Sequence, residues 1–141
     1  MQADNKTETE VKAALQKLID SYVKRDLQGF LDCFAPDDDV VIYGTGADEK
    51  CVGIERIRTQ VRRDWEQSES TAMSFSWMPI SAAAGVAWAA ADGAIEFSTN
   101  GQDASIPVRA TFVLERRANK WLIVQSHFSM PASGQEEGRS F

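Results

Sequence analysis

The stretch from Pro107 to Pro131, PVRATFVLERRANKWLIVQSHFSMP, limits what this chain can fold into more than any other. Two runs rich in β-branched and aromatic residues flank Ala118-Asn119, which reads as a tight turn. The pattern predicts two long antiparallel strands, the second ending on the only histidine, His127. Long antiparallel strands coil strongly. The remaining chain must therefore lay helices and further strands against a bent surface, and a hollow is left between them.

Upstream, the periodicity is helical. Residues 1–6 are expected to be disordered, and Thr7 with Glu10 fits a capping box. Val11, Leu15, Leu18, Ile19 and Tyr22 then repeat at spacings of three and four, which puts one apolar stripe on a first helix. Asp26 is placed to cap a shorter helix carrying Leu27, Phe30, Leu31 and Phe34, which ends at Pro36 and Asp37-Asp38-Asp39. Val40 to Tyr43 reads as a strand closed by the turn Gly44-Thr45-Gly46. Gly53 opens a third helix with Ile54, Ile57, Val61 and Trp65 on one face. From Thr71 onward the segments alternate instead, in four strands of which the last two are the hairpin. Gly85 and Gly93 are expected to mark bulges. Helices followed by a meander of strands make an α+β domain. The expected limits are a single domain over 7–131 and a flexible tail over 132–141.

Composition narrows the function classes. A net charge of −6 argues against a nucleic-acid partner, which needs a basic surface to neutralise phosphates. The densest basic run, Arg56, Arg58, Arg62 and Arg63, is interleaved with Glu55, Asp64, Glu66 and Glu69 and reads as a solvated helix face. No apolar run approaches the ~20 residues of a membrane span. The start MQADNKTETE has neither signal- nor transit-peptide character. Cys33 and Cys51 form no disulfide framework, and two reduced thiols point to a cytoplasmic protein.

Three motifs stand out along this order of helices and strands: Gly44-Thr45-Gly46-Ala47-Asp48-Glu49 followed by Gly53, then Arg109 to Leu114, then Trp121 to His127 with Ser129. Together they resemble the SnoaL-like group of the nuclear transport factor 2-like superfamily. The resemblance covers roughly residues 8–131. It implies a cone-shaped, strongly curved antiparallel sheet packed on three N-terminal helices, as in cystatin-like folds. It also implies a homodimer paired through the outer face of the sheet. The superfamily includes ketosteroid isomerase, polyketide cyclases, scytalone dehydratase and a kinase association domain, so fold alone does not deliver function.

Candidate site residues follow from what a cavity could use. His127 could move a proton near neutral pH, or be held within the wall by Ser129 or a backbone carbonyl. Arg109, flanked by apolar neighbours, must reach solvent, pair with Asp92 or Glu96, or bind a ligand carboxylate. The two share a face only if the hairpin has a three-residue loop with a bulge. A two-residue loop places Ala110 opposite His127 and Arg109 on the other side. Asp38 is a second candidate base, set against a solvated loop for the whole Asp37–Asp39 run. Tyr22 and Tyr43 are candidate hydrogen-bond donors. Among the tryptophans, Trp65 and Trp88 are candidates for the pocket wall, with core packing as the ordinary alternative. Asp48 and Glu49 read as structural acids that cap or anchor the third helix. No second histidine exists to complete a metal site, and neither metal nor cofactor is expected.

The leading expectation is a small-molecule-binding protein with an internal pocket. The second is a cofactor-independent isomerase, cyclase or dehydratase working by proton transfer. The third is a dimerisation or association module.

Overall fold

The computed structural model describes residues 1–141. Three helices, α1 (Asn5–Lys24), α2 (Leu27–Leu31) and α3 (Ile54–Glu66), cover one side of a seven-stranded sheet. The strands are β1 (Val41–Tyr43), β2 (Lys50–Val52), β3 (Ser70–Trp77), β4 (Ile80–Ala83), β5 (Val86–Thr99), β6 (Gln102–Arg117) and β7 (Lys120–Ser129). Their spatial order is β2-β1-β7-β6-β5-β3, with β4 pairing the far half of β5. The α+β class holds. The sheet is open and mixed rather than wholly antiparallel, because β1 runs parallel to β7.

Local chemistry explains most of the elements. Val11, Leu15, Leu18 and Ile19 form the buried stripe of α1. Arg25 ends that helix in the left-handed conformation, and Asp26 starts α2 by accepting from the Gly29 amide at 3.0 Å. The start of the chain departs from expectation. Asp4, not Thr7, is the cap, accepting from the Thr7 amide at 2.7 Å. The preceding residues are paired rather than loose: Gln2 bridges Ser81, and Ala3 is buried with its amide on the Ile80 carbonyl. Glu10, freed from any capping role, accepts from the Trp121 indole at 3.0 Å.

The first of the four strands expected after Thr71 is split, with Met78 and Pro79 separating β3 from β4. Gly85 belongs to the two-residue turn between β4 and β5, where Ala84 and Gly85 both have positive φ, so it marks no bulge. Gly93 lies beside a register shift between Phe75 and Trp77. A Cβ there would come 2.0 Å from the Ser74 carbonyl oxygen, so glycine is what lets β3 approach β5.

The hairpin carries the detail that places the site. Ala118 and Asn119 form a two-residue loop, both with positive φ, and Arg117 pairs with Lys120. The ladder slips at Val113 and Leu114, which pair with Gln125 and Ile123 and leave Val124 as an extra residue. His127 therefore stands opposite Thr111, and Ser129 opposite Arg109. The two-residue loop and the shared face of Arg109 and His127 coexist, through a bulge placed inside the strands rather than at the turn.

Candidate functional site

Between the helices and the sheet lies a cavity of about 370 Å³. Its wall is mostly apolar: Leu18 and Ile19 of α1, Phe30 and Phe34, Ile57 and Val61 of α3. The sheet closes it with inward residues of β3, β5, β6 and β7, among them Met73, Ile95, Phe97, Ile106 and Phe128. Phe112 stands behind Phe128, edge-on at 5.7 Å, and also meets Phe75 at 5.9 Å. These edge-to-face pairs pack the core directly behind the cavity.

One end of the cavity is polar, and α3 supplies it. The Tyr22 hydroxyl donates to Asp64 Oδ2 at 2.9 Å, and Gln60 Nε2 donates to Asp64 Oδ1 at 2.9 Å. The same amide nitrogen reaches Glu49 Oε1 at 3.3 Å. Burial pushes the Asp64 carboxyl above its ordinary range, although the Tyr22 and Gln60 hydrogen bonds pull the other way. Burial, with the nearby Asp64 charge, also pushes the Tyr22 hydroxyl up, so at neutral pH it is a donor. Arg25 holds the arrangement from behind. Its guanidinium donates to the carbonyls of Trp65 at 2.7 Å and Ser68 at 2.8 Å, tying the end of α1 to the end of α3.

The rim is the β1–β2 turn. Glu49 folds back so that its Oε2 accepts from the Gly46 amide at 2.8 Å. A Cβ on Gly44 would lie 2.3 Å from that oxygen, so the small residues of the turn make room for the acid. Arg63 of α3 clasps the turn, donating to Asp48 Oδ2 at 2.7 Å and Glu49 Oε1 at 3.2 Å. Asp48 and Glu49 thus anchor the third helix as expected, and Glu49 lines the cavity as well.

Of the residues proposed from the sequence as catalytic or ligand-binding, Tyr22 alone lines this cavity. Trp65 stands behind it, with ring centroids 5.9 Å apart, and its buried indole nitrogen has no hydrogen-bond partner. Arg109, His127, Tyr43 and Trp88 are brought together elsewhere, on the outer face of the sheet. Tyr43 packs on His127 with centroids 5.2 Å apart. Arg109 sits in register between Asp92 and Ser129, and its guanidinium donates to the Met130 carbonyl at 3.4 Å. Asp38 is exposed in the loop after α2, away from the cavity, while its neighbour Asp37 pairs with Arg117 at 2.8 Å. Nowhere do three or more His, Cys, Asp or Glu side chains converge as a metal site would require.

Asp64, Gln60 and Thr71 are polar residues of the cavity that no motif marks in the sequence. The charged residues around Asp64 suggest a solvated face. Yet Asp64 stands three residues after Val61 and seven after Ile57, on the stripe that α3 buries.

The SnoaL-like domain profile matches residues 11–133. The chain belongs to the SnoaL-like domain family. Comparison with curated proteins returned no match. Among solved structures it is similar to a nuclear transport factor 2-like superfamily protein from Salmonella enterica serovar Typhimurium, at 18% identity and a TM-score of 0.84, covering 99% of this chain and 100% of that one. It is also similar to a Streptomyces avermitilis protein of the same family, provisionally named a dehydratase, at 14% identity and a TM-score of 0.83, covering 92% and 100%. A Nostoc punctiforme protein of unknown function with a cystatin-like fold matches at 15% identity and a TM-score of 0.77, covering 94% and 97%. At these identities the likeness concerns the fold. No helix of this SnoaL-like protein is long and apolar enough to cross a membrane.

Proposed function

We propose that this SnoaL-like protein binds an apolar small molecule in the cavity between its helices and sheet. The supporting observation is the cavity itself, about 370 Å³ with a mostly apolar wall and a polar group of Tyr22, Gln60 and Asp64 at one end. That volume and that lining are typical of small-molecule sites. The test uses N-phenyl-1-naphthylamine, a neutral fluorophore that brightens on leaving water. Saturable brightening with one site per chain is expected, abolished by Ile106→Trp, which fills the cavity, and retained in His127→Ala on the other face. Equal brightening in wild type and Ile106→Trp would refute the assignment.

A second reading is favoured by one feature. Asp64 is a half-buried carboxyl held above its ordinary range by burial, with Tyr22 as a donor beside it, which is what proton transfer without a cofactor requires. The provisional dehydratase name of the Streptomyces relative belongs to the same class of chemistry. In this reading Asp64 takes the role first assigned to His127 or Asp38. A rate on any substrate that follows an Asp64 titration and vanishes in Asp64→Asn would establish it.

The outer face of the sheet is proposed as the homodimer surface. Tyr43 at 41%, Trp77 at 55% and Trp88 at 40% exposure lie on it, uncovered by any helix, and aromatic groups so exposed favour a partner. The buried free thiols of Cys33 and Cys51 support a cytoplasmic location. The acidic balance of the chain supports the absence of a nucleic-acid partner.

A further inference from the structure

At the polar end of the cavity the Tyr22 hydroxyl and the Gln60 amide nitrogen are committed, and the Gln60 oxygen is left without a partner. The Tyr22 hydroxyl is given to Asp64, and the Gln60 amide nitrogen lies between the carboxylates of Asp64 and Glu49. Ionised carboxylates only accept, so the nitrogen must be the atom facing them and the amide oxygen the one left over. That Gln60 oxygen is buried with no hydrogen-bond partner, and so is the Thr71 hydroxyl oxygen on β3. Both residues line the cavity, and Thr71 is more than nine-tenths buried. Buried acceptors without partners are rare because each forfeits its hydration for nothing in return.

Charge narrows the occupant further. Asp64 and Glu49 line the cavity, while no lysine, arginine or histidine does. The nearest guanidinium groups are committed, Arg63 to Asp48 and Glu49, and Arg25 to the Trp65 and Ser68 carbonyls. An anion would enter without a counter-ion. A ligand offering only acceptors could use the Thr71 hydroxyl but would leave the Gln60 oxygen unpaired.

We propose that the ligand of this cavity is an apolar molecule without negative charge that brings a hydrogen-bond donor, a hydroxyl or N–H, to the Gln60 and Thr71 oxygens. The inference rests on the cavity being a ligand site, and it adds the chemical class. It also replaces the carboxylate ligand that Arg109 suggested from sequence.

The test is a calorimetric series on the full chain at neutral pH with 2-naphthol, 2-methylnaphthalene and 2-naphthoate, which share one apolar body. The alcohol should bind about tenfold more tightly than the methyl compound, the worth of one hydrogen bond to a buried acceptor, and the carboxylate most weakly. Thr71→Val should cut the alcohol's advantage over 2-methylnaphthalene to about threefold or less, and Thr71→Ser should keep it. Equal affinities for alcohol and methyl compound, a tightest-binding carboxylate, or an advantage that survives Thr71→Val would overturn the proposal and leave the cavity reading standing. Binding of none of the three would remove both. Should Thr71→Val fail to fold, the wild-type series decides alone.

Discussion

On β6, Phe112 is buried between Phe75 and Phe128, while its neighbours Thr111 and Val113 point the opposite way, toward His127, Gln125 and Trp88. The two faces are made from alternate residues of the same strands. The helix-covered face encloses a mostly apolar wall with the half-buried carboxyl of Asp64 and, at the rim, that of Glu49. The outer face gathers the only histidine, an arginine without a carboxylate partner and three exposed aromatic rings. Residue types that look catalytic in a sequence thus collect on the side without a cavity. The polar chemistry of the cavity comes mainly from α1 and α3, which the sheet only faces.

The largest expected contrast between the faces is in stability. Phe112→Ala should cost about 3–5 kcal/mol, as removal of a fully buried aromatic does. Thr111→Ala, next to it but outward, should cost within about 1 kcal/mol. Urea titration of both variants checks this, and similar costs would mean that the two faces are not packed differently.

A smaller effect is expected in assembly. Trp88→Glu should weaken the proposed dimer by about thirtyfold, the consequence of losing one aromatic anchor of about 2 kcal/mol. Fluorophore binding in the cavity should be unchanged. Sedimentation at several concentrations measures the first and fluorescence titration the second. If the variant loses ligand and keeps its oligomeric state, the roles of the faces are exchanged.

The smallest effect is a pH dependence confined to the inner face. Burial raises the Asp64 carboxyl above its unfolded value, so the folded state holds that proton more tightly. Stability from this group is present below the unfolded value of about 4 and is lost as pH rises through the raised folded value. The difference in stability between wild type and Asp64→Asn should therefore shift against wild type over that window and flatten above it. Replacing His127 by Ala should leave the slope in that window as it is. Thermal melts from pH 3 to 8 would expose the opposite sign if Asp64 were instead stabilised as an anion.

Several features were legible in the residues because they are set locally. The stripe Val11, Leu15, Leu18 and Ile19, the Asp26 cap and the Ala118-Asn119 turn each depend on a few neighbours in the chain. The order of elements and the motif around Gly44 to Glu49 were enough to suggest the SnoaL-like family. The candidate site was legible only in Tyr22. Asp64 was hidden because Arg62, Arg63 and Glu66 around it are surface residues, and a charged side chain on a buried stripe is normally paired or absent. Arg109 and His127 were misplaced for a different reason. His127's side of the sheet depends on the extra residue at Val124, which no glycine or proline marks, and Arg109's on which alternate residues of β6 turn inward.

The sequence by itself determined the elements, their order and the existence of an apolar interior, since period and turn chemistry act over a few residues. The tertiary structure alone decided which side of the sheet each polar residue faces and which groups meet across the cavity. A single unpaired residue in a ladder reverses every side chain beyond it. The meeting of Tyr22 and Asp64 spans two helices whose relative position depends on packing throughout the domain.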